Sequence, residues 1–275
     1  MCGVKRRSSA GLSLAFLLAF VVAGCGGDEP VMESPEAGKK HLPTLLASEG
    51  LVLGLTSGPH TREQGASIVQ LQEVDYVFYS LETGPFDIPA LEAYLEGMRE
   101  AAAADPELAP LPVILRIPAL RDVGYEVTLD HVRQGLAAGV DGIVFPHIET
   151  PAQAAQAVEL MGESSWPGNL AGDVINVLLI EDIEAVDSAR EIARTPGVSM
   201  VGLGPSDLTR AYGGNMEAVE GAILTVLAAC EEAGVPCSTT ANHDILELRL
   251  DQGFRVFTLG QADLVSRARD VFSNR

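Results

Sequence analysis

AAGVDGIV, residues 137–144, closes a helical pattern at Gly139 and opens an apolar run almost at once. A glycine just past a helix supplies the positive φ that ends it, and β-branched residues then read as a buried strand. The phrase returns as TPGVSMVG (195–202), EAGVPCST (232–239) and DQGFRVFT (251–258). Working outward from these junctions, strands are predicted at 51–56, 74–82, 112–118, 140–147, 175–181, 198–204, 236–241 and 254–260. Helical stretches such as DIPALEAYLEGMREAAAA and NMEAVEGAILTVLAACEEAG lie between them. Apolar strands joined by helical crossovers form a parallel sheet covered on its outer face. Eight such units between residue 51 and residue 275 predict an α/β fold, a (β/α)8 TIM barrel. A doubly wound open sheet is the alternative, but no Gly-x-Gly-x-x-Gly follows the first strand.

The start of the chain reads as an address. Lys5, Arg6 and Arg7 precede an apolar stretch from Leu12 to Val22, the layout of a signal peptide. Val22-Ala23-Gly24-Cys25 resembles a bacterial lipobox, which implies cleavage before Cys25 and a lipid on its thiol. The expected organisation is therefore a lipoprotein signal peptide over 1–24, a lipidated cysteine and flexible, disordered linker over 25–47, and the barrel over 48–275. Gly, Pro, Glu and Lys without apolar periodicity make that linker a tether, able to hold the domain about 25 Å from a membrane. The expected location is the cell envelope, on the periplasmic face of a membrane touched only through the lipid. Gly26 and Gly27 after the cysteine, with no Asp, point to the outer membrane if the source is Gram-negative.

Composition excludes several classes of function. Apolar residues make up 47% and charged residues 20%, as in an ordinary globular core. The net charge is −20, and removing the three early cations leaves −23. Such a surface repels phosphate backbones and anionic headgroups, so nucleic acid is not an expected partner. A small anion bound here needs a placed arginine or a metal. Cys230 and Cys237 flank a helix-to-strand turn and read as buried thiols or, less commonly, as a disulfide.

Barrel active sites lie at the C-terminal ends of the strands. The polar residues there are Glu82 and Thr83, Arg116, His147 and Glu149, Glu181 and Asp182, Ser206 and Asp207, Asn242 and His243, and Gln261 and Asp263. Glu181 and Asp207 end neighbouring strands, so they can share a hard divalent ion while leaving positions for ligand oxygens. The blander reading makes Asp207 a helix cap and Glu181 a solvated loop carboxylate. Arg116, inside VILRIP, needs an anionic partner or a ligand oxygen. The turn from Gly204 to Asp207 offers amides to a carboxylate or phosphate. His147 is either a ligand contact or a satisfied core histidine, the commoner case; His60 and His243 fall on loops at the same end.

Together, VILRIP, GVDGIVFPHIETPAQA, LLIED and PGVSMVGLGPSDLTRAYG, in that order and spacing, resemble the HpcH/HpaI aldolase and citrate lyase family. The resemblance runs from about residue 50 to 272. It implies a metal-dependent carbon–carbon lyase, cleaving a 2-oxo acid to pyruvate and an aldehyde with Mg2+, Mn2+ or Co2+. It further implies Glu181 and Asp207 as metal ligands, Arg116 as the group that holds the pyruvyl oxygen, and Gly204, Ser206 and Asp207 as the carboxylate-binding turn. A homo-oligomer, trimer or hexamer, follows by the same analogy, with the last helix able to exchange between subunits.

The departures from the family pattern fall on proton transfer. The usual Asp-x-Glu-His-Gly ending strand two is here Ser80-Leu81-Glu82-Thr83-Gly84, so Ser80 and Thr83 replace the acid–base pair. Leu179 stands where the family has Gln, and the loop before strand five lacks its arginine-rich segment. Thr83 therefore marks the position of a lost base, and His243, His60 or a metal-bound water is the expected replacement. The competing expectation is a tethered, non-catalytic binding protein for pyruvate-like acids, and beyond it a purely structural relic of the fold.

Overall fold

The structure, a computed structural model, describes residues 38–275, so the signal-peptide and Cys25 readings lie outside the described residues. Eight parallel strands form a closed barrel: β1 (Val52–Thr56), β2 (Tyr76–Ser80), β3 (Val113–Arg116), β4 (Gly142–Phe145), β5 (Val174–Ile180), β6 (Met200–Leu203), β7 (Cys237–Ala241) and β8 (Val256–Leu259). Each pairs with the next in sequence, and β8 returns to β1 in the register Val52 with Val256 and Gly54 with Thr258. A two-residue strand, Ser165–Trp166, adds to the N-terminal start of β5. All eight predicted strands are present, seven of them trimmed where the chain leaves the ladder for a loop and β5 shifted by one residue toward its start.

Side chains alternate along each strand, so the sheet has two apolar faces. The outer face packs against the helices through residues such as Leu53, Val77, Leu115, Ile143, Leu178, Val201 and Phe257. The inner face fills the lower lumen with Val52, Tyr76, Ile114, Val144, Ile175, Val177, Met200 and Val256. The barrel is thus a packed core below and an open mouth above. Gly54 permits this packing, because a Cβ there would lie 2.1 Å from the Tyr76 ring.

The predicted tether does not extend to residue 47. Residues Leu42–Leu46 form a short helix, α1, with Leu42 at 2% and Leu46 at 6% exposure inside the lumen cluster. Before it, Lys39 pairs with Asp141 and Lys40 with Asp75, both at 2.9 Å. The Lys40 ammonium also donates to the carbonyls of Gln72 and Val74. A five-residue helix shows no readable periodicity, and three leucines in a polar stretch find a partner only once the barrel exists. Among the described residues, no helix is long and apolar enough to cross a membrane. Cys230 and Cys237 are both buried free thiols, as the first of the two readings expected.

Candidate active site

A cavity of about 410 Å³ opens at the C-terminal ends of the strands. Phe78, Ile114, Val177, Leu179 and Met200 form its apolar floor, and Arg116, Glu181 and Asp207 stand above them. β6 makes the room by carrying glycine. A Cβ on Gly202 would lie 2.4 Å from Leu179 Cδ2, and one on Gly204 would lie 2.2 Å from Glu181 Oε1. Gly204 is therefore required by the carboxylate beside it.

Glu181 follows directly on β5 and is 2% exposed. Its Oε2 accepts a hydrogen bond from the His147 amide at 3.2 Å. His147 adopts a left-handed φ of 53°, the one non-glycine described residue to do so, which turns the chain back over the barrel mouth after β4. Its Nδ1 meets Asp182 Oδ2 at 2.8 Å, and its Nε2 faces Glu82 Oε1 at 3.9 Å. Arg121 closes the outside of this group, paired with Glu149 and, at 3.1 Å, with Asp182. Arg116 crosses from β3, donating through Nε to Ser80 Oγ at 3.0 Å and pairing through Nη2 with Glu82 Oε2 at 3.0 Å. Its guanidinium carbon lies 5.4 Å from the Phe78 ring centroid.

Burial holds the Glu181 carboxyl above the usual carboxylate range; Asp207 and Glu82 push it further up, while His147 and Arg116 pull it down. A desolvated carboxylate among other carboxylates is a site that a cation would relieve. Glu82, His147 and Glu181 each present a ligand atom, all within 4.8 Å of one another. Two carboxylates and an imidazole, with Asp207 on the same cavity, fit a hard or borderline divalent ion.

The residues singled out in the sequence separate cleanly. Arg116, Glu181, Gly204, Ser206 and Asp207 all line the one cavity. Asp207 is held by Arg210, three residues on, and its amide donates to the Gly204 carbonyl at 3.1 Å. Of that turn, the Ser206 amide and hydroxyl are what remain for a ligand. Thr83 is exposed and lines no part of the cavity. His243, expected as a replacement base, turns away: its ring meets Asp263 at 3.1 Å and Arg267 at 3.2 Å, and its side chain is 44% exposed. The loop after β7 turns outward, and those two partners on the last helix hold the imidazole there. His60 stacks on Tyr79 at 3.9 Å, against the outer core. Sequence reasoning underweighted Glu82 and His147. Both sit at strand ends, which was the available signal, but their approach to Glu181 exists only once β2, β4 and β5 close together.

A model of the HpcH/HpaI aldolase/citrate lyase family matches residues 59–265. Among curated proteins, the chain is 29% identical over 198 residues to a 5-keto-4-deoxy-D-glucarate aldolase of Klebsiella pneumoniae, covering 63% of this chain and 72% of that one. It is 26% identical over 215 residues to a hydroxypyruvate/pyruvate aldolase of Paraburkholderia phytofirmans, covering 67% and 77%. Among solved structures, an HpcH/HpaI aldolase/citrate lyase family protein from Burkholderia cenocepacia superposes with a TM-score of 0.68 at 24% identity, over 85% of this chain and 98% of that one. An HpcH/HpaI aldolase from Desulfitobacterium hafniense gives 0.66 at 18%, over 86% and 96%. These superpositions support the barrel fold.

Proposed function

Because the chain belongs to the HpcH/HpaI aldolase/citrate lyase family, and is thereby a metal-dependent carbon–carbon lyase, we propose that it cleaves a 4-hydroxy-2-oxo acid to pyruvate and an aldehyde. The observation that carries this reading is the meeting of Arg116 and the buried Glu181 at one cavity, with Glu82 between the guanidinium and His147. Two relatives named as aldolases, one of them for pyruvate and hydroxypyruvate, point the same way.

Glu181 and Asp207 would hold a divalent ion of the Mg2+, Mn2+ or Co2+ class, with Glu82 and His147 beside Glu181. When bound, such an ion supplies Lewis-acid polarisation of the 2-oxo acid. Arg116, braced by Ser80 and Glu82, orients the 2-oxo oxygen and stabilises the negative charge that develops there. The Ser206 amide and hydroxyl donate to the substrate carboxylate. Proton transfer falls to His147, the one described histidine within the charged cluster. Asp182 fixes its Nδ1, and its Nε2 faces Glu82 outside the cavity lining. It therefore takes the proton of the C4 hydroxyl through the Glu82 carboxylate as the C3–C4 bond breaks, and returns it to C3 by the same route. This arrangement replaces the pair missing at Ser80 and Thr83.

The test uses protein beginning after Cys25, incubated with pyruvate and each metal in D2O while proton NMR follows the methyl signal. Metal-dependent loss of that signal, abolished by Glu181→Ala and by Asp207→Ala, is the expected result. Pyruvate that binds through the metal without exchanging would instead make the chain a binding protein. The envelope location and the lipid on Cys25 belong to the same proposal, supported by the charged, apolar and small-residue order of residues 1–25.

A further inference from the structure

The cavity has a second wall of different chemistry. From β7, β8 and β1 it receives hydroxyl groups, those of Thr240, Thr258 and Thr56, with Ser238 one layer below, and no ionisable side chain. Register explains their convergence. Thr240 pairs with Thr258 across β7 and β8, and Thr258 pairs with Gly54 across β8 and β1. Thr56 is the next residue of β1 on the Gly54 face. Thr240 and Thr56 are exposed to the mouth, and Thr258 is half-buried.

Thr258 is also oriented. The Tyr76 hydroxyl donates to the Phe257 carbonyl at 3.0 Å and lies 2.8 Å from Thr258 Oγ1. A phenol has one proton, so with that proton on Phe257 the Thr258 hydroxyl donates to the phenol oxygen. Its oxygen, on the cavity lining, is then left to accept. A hydroxyl oxygen whose proton is already used accepts from an alcohol and offers a carboxylate no donor.

Among the described residues, no cation stands on the hydroxyl wall of the cavity. Arg116, the one cation in the lining, is paired with Glu82. Arg121 is paired with Glu149 and Asp182, and Arg210 with Asp207. A substrate bearing a second carboxylate therefore finds no positive charge on this wall to pair with it.

We infer that Thr240, Thr258 and Thr56 receive the aldehyde half of the substrate and select a short, neutral hydroxyaldehyde over a carboxylated or purely apolar one. This rests on the aldolase reading of the same cavity. The charged side, on β2 to β6, takes the 2-oxo acid, and the hydroxyl side takes its partner.

Aldol addition is measured with pyruvate, the metal that supports methyl exchange, and one of three aldehydes: glyceraldehyde, butyraldehyde or succinic semialdehyde. Glyceraldehyde is expected to exceed both others by about 10-fold or more in kcat/KM, as a site built for hydroxyls requires. Thr240→Val is expected to raise the KM for glyceraldehyde about 10-fold without moving the KM for pyruvate, and Thr240→Ser to retain the wild-type value. Equal use of the three aldehydes, or preference for succinic semialdehyde, overturns the inference while leaving the aldolase reading intact. Absence of pyruvate exchange in the wild-type protein removes the aldolase reading and this inference with it.

Discussion

Glu181 is a buried carboxyl with two further carboxylates, Asp207 and Glu82, acting on it. Its carboxyl is held above the ordinary value chiefly by burial, so the folded protein binds that proton more tightly than the unfolded chain does. Stability is therefore lost as pH rises from the ordinary glutamate range, near 4.3, through the raised folded value. Glu181→Gln keeps an acceptor for the His147 amide and removes the charge. In metal-free protein at neutral pH it should raise Tm by roughly 2–4 °C, about 1 kcal/mol for a domain of this size. The gain should vanish toward pH 4, and added metal should stabilise the wild-type protein alone. Thermal scans from pH 4 to 8, with chelator and with Mn2+, check this; a gain independent of pH would remove the desolvation account. At this scale, legibility followed chain neighbours. Arg116 stood out because VILRIP is apolar on both sides, and Glu181 because it ends a buried strand. Glu82 and His147 did not, since their partners come from other strands. His243 shared every signal of a site histidine, yet Asp263 and Arg267 hold it outside.

The eight strands and their crossovers were readable because each repeats the same helix-stop glycine and buried run. α1 was not, because its signal lies in what it plugs. Leu42 and Leu46 close the lumen opposite the mouth, and Lys39 and Lys40 bind carboxylates that precede β4 and β2. Asp75 is shared further, by the Leu53 amide at 2.8 Å and by Arg269 of the last helix at 2.8 Å. Burying two leucines is worth about 3–5 kcal/mol, against about 1 kcal/mol or less for each partly exposed ion pair. A chain starting at residue 38 should therefore unfold at the same temperature as one starting after Cys25. A chain starting at residue 48 should lose roughly 6–20 °C in Tm. Circular dichroism on the three proteins measures the difference, and equal midpoints for all three would show that α1 contributes nothing to the barrel. The last helix, Ala262–Ser273, packs on its own barrel through Leu264, Val265 and Ala268.

Over the whole molecule, one long-range property bears on where the protein resides. Residues 25–275 carry −23, so an anionic bilayer repels them rather than adsorbing them. Any membrane association must then come from covalent lipid. Lys39 is bound to Asp141 of the barrel, so the chain from Lys39 onward belongs to the folded domain. Acyl chains buried in a bilayer contribute about 0.8 kcal/mol per CH2, far more than the repulsion of a screened acidic surface subtracts. Cys25→Ser, expressed in a bacterium that exports the chain, is thus expected to move the protein entirely from the membrane pellet to the soluble fraction. The shift should hold at low ionic strength, where any electrostatic adsorption would be strongest. Protein that stays with the membrane and leaves it on addition of salt would mean that a local basic patch, not the lipid, holds the molecule there.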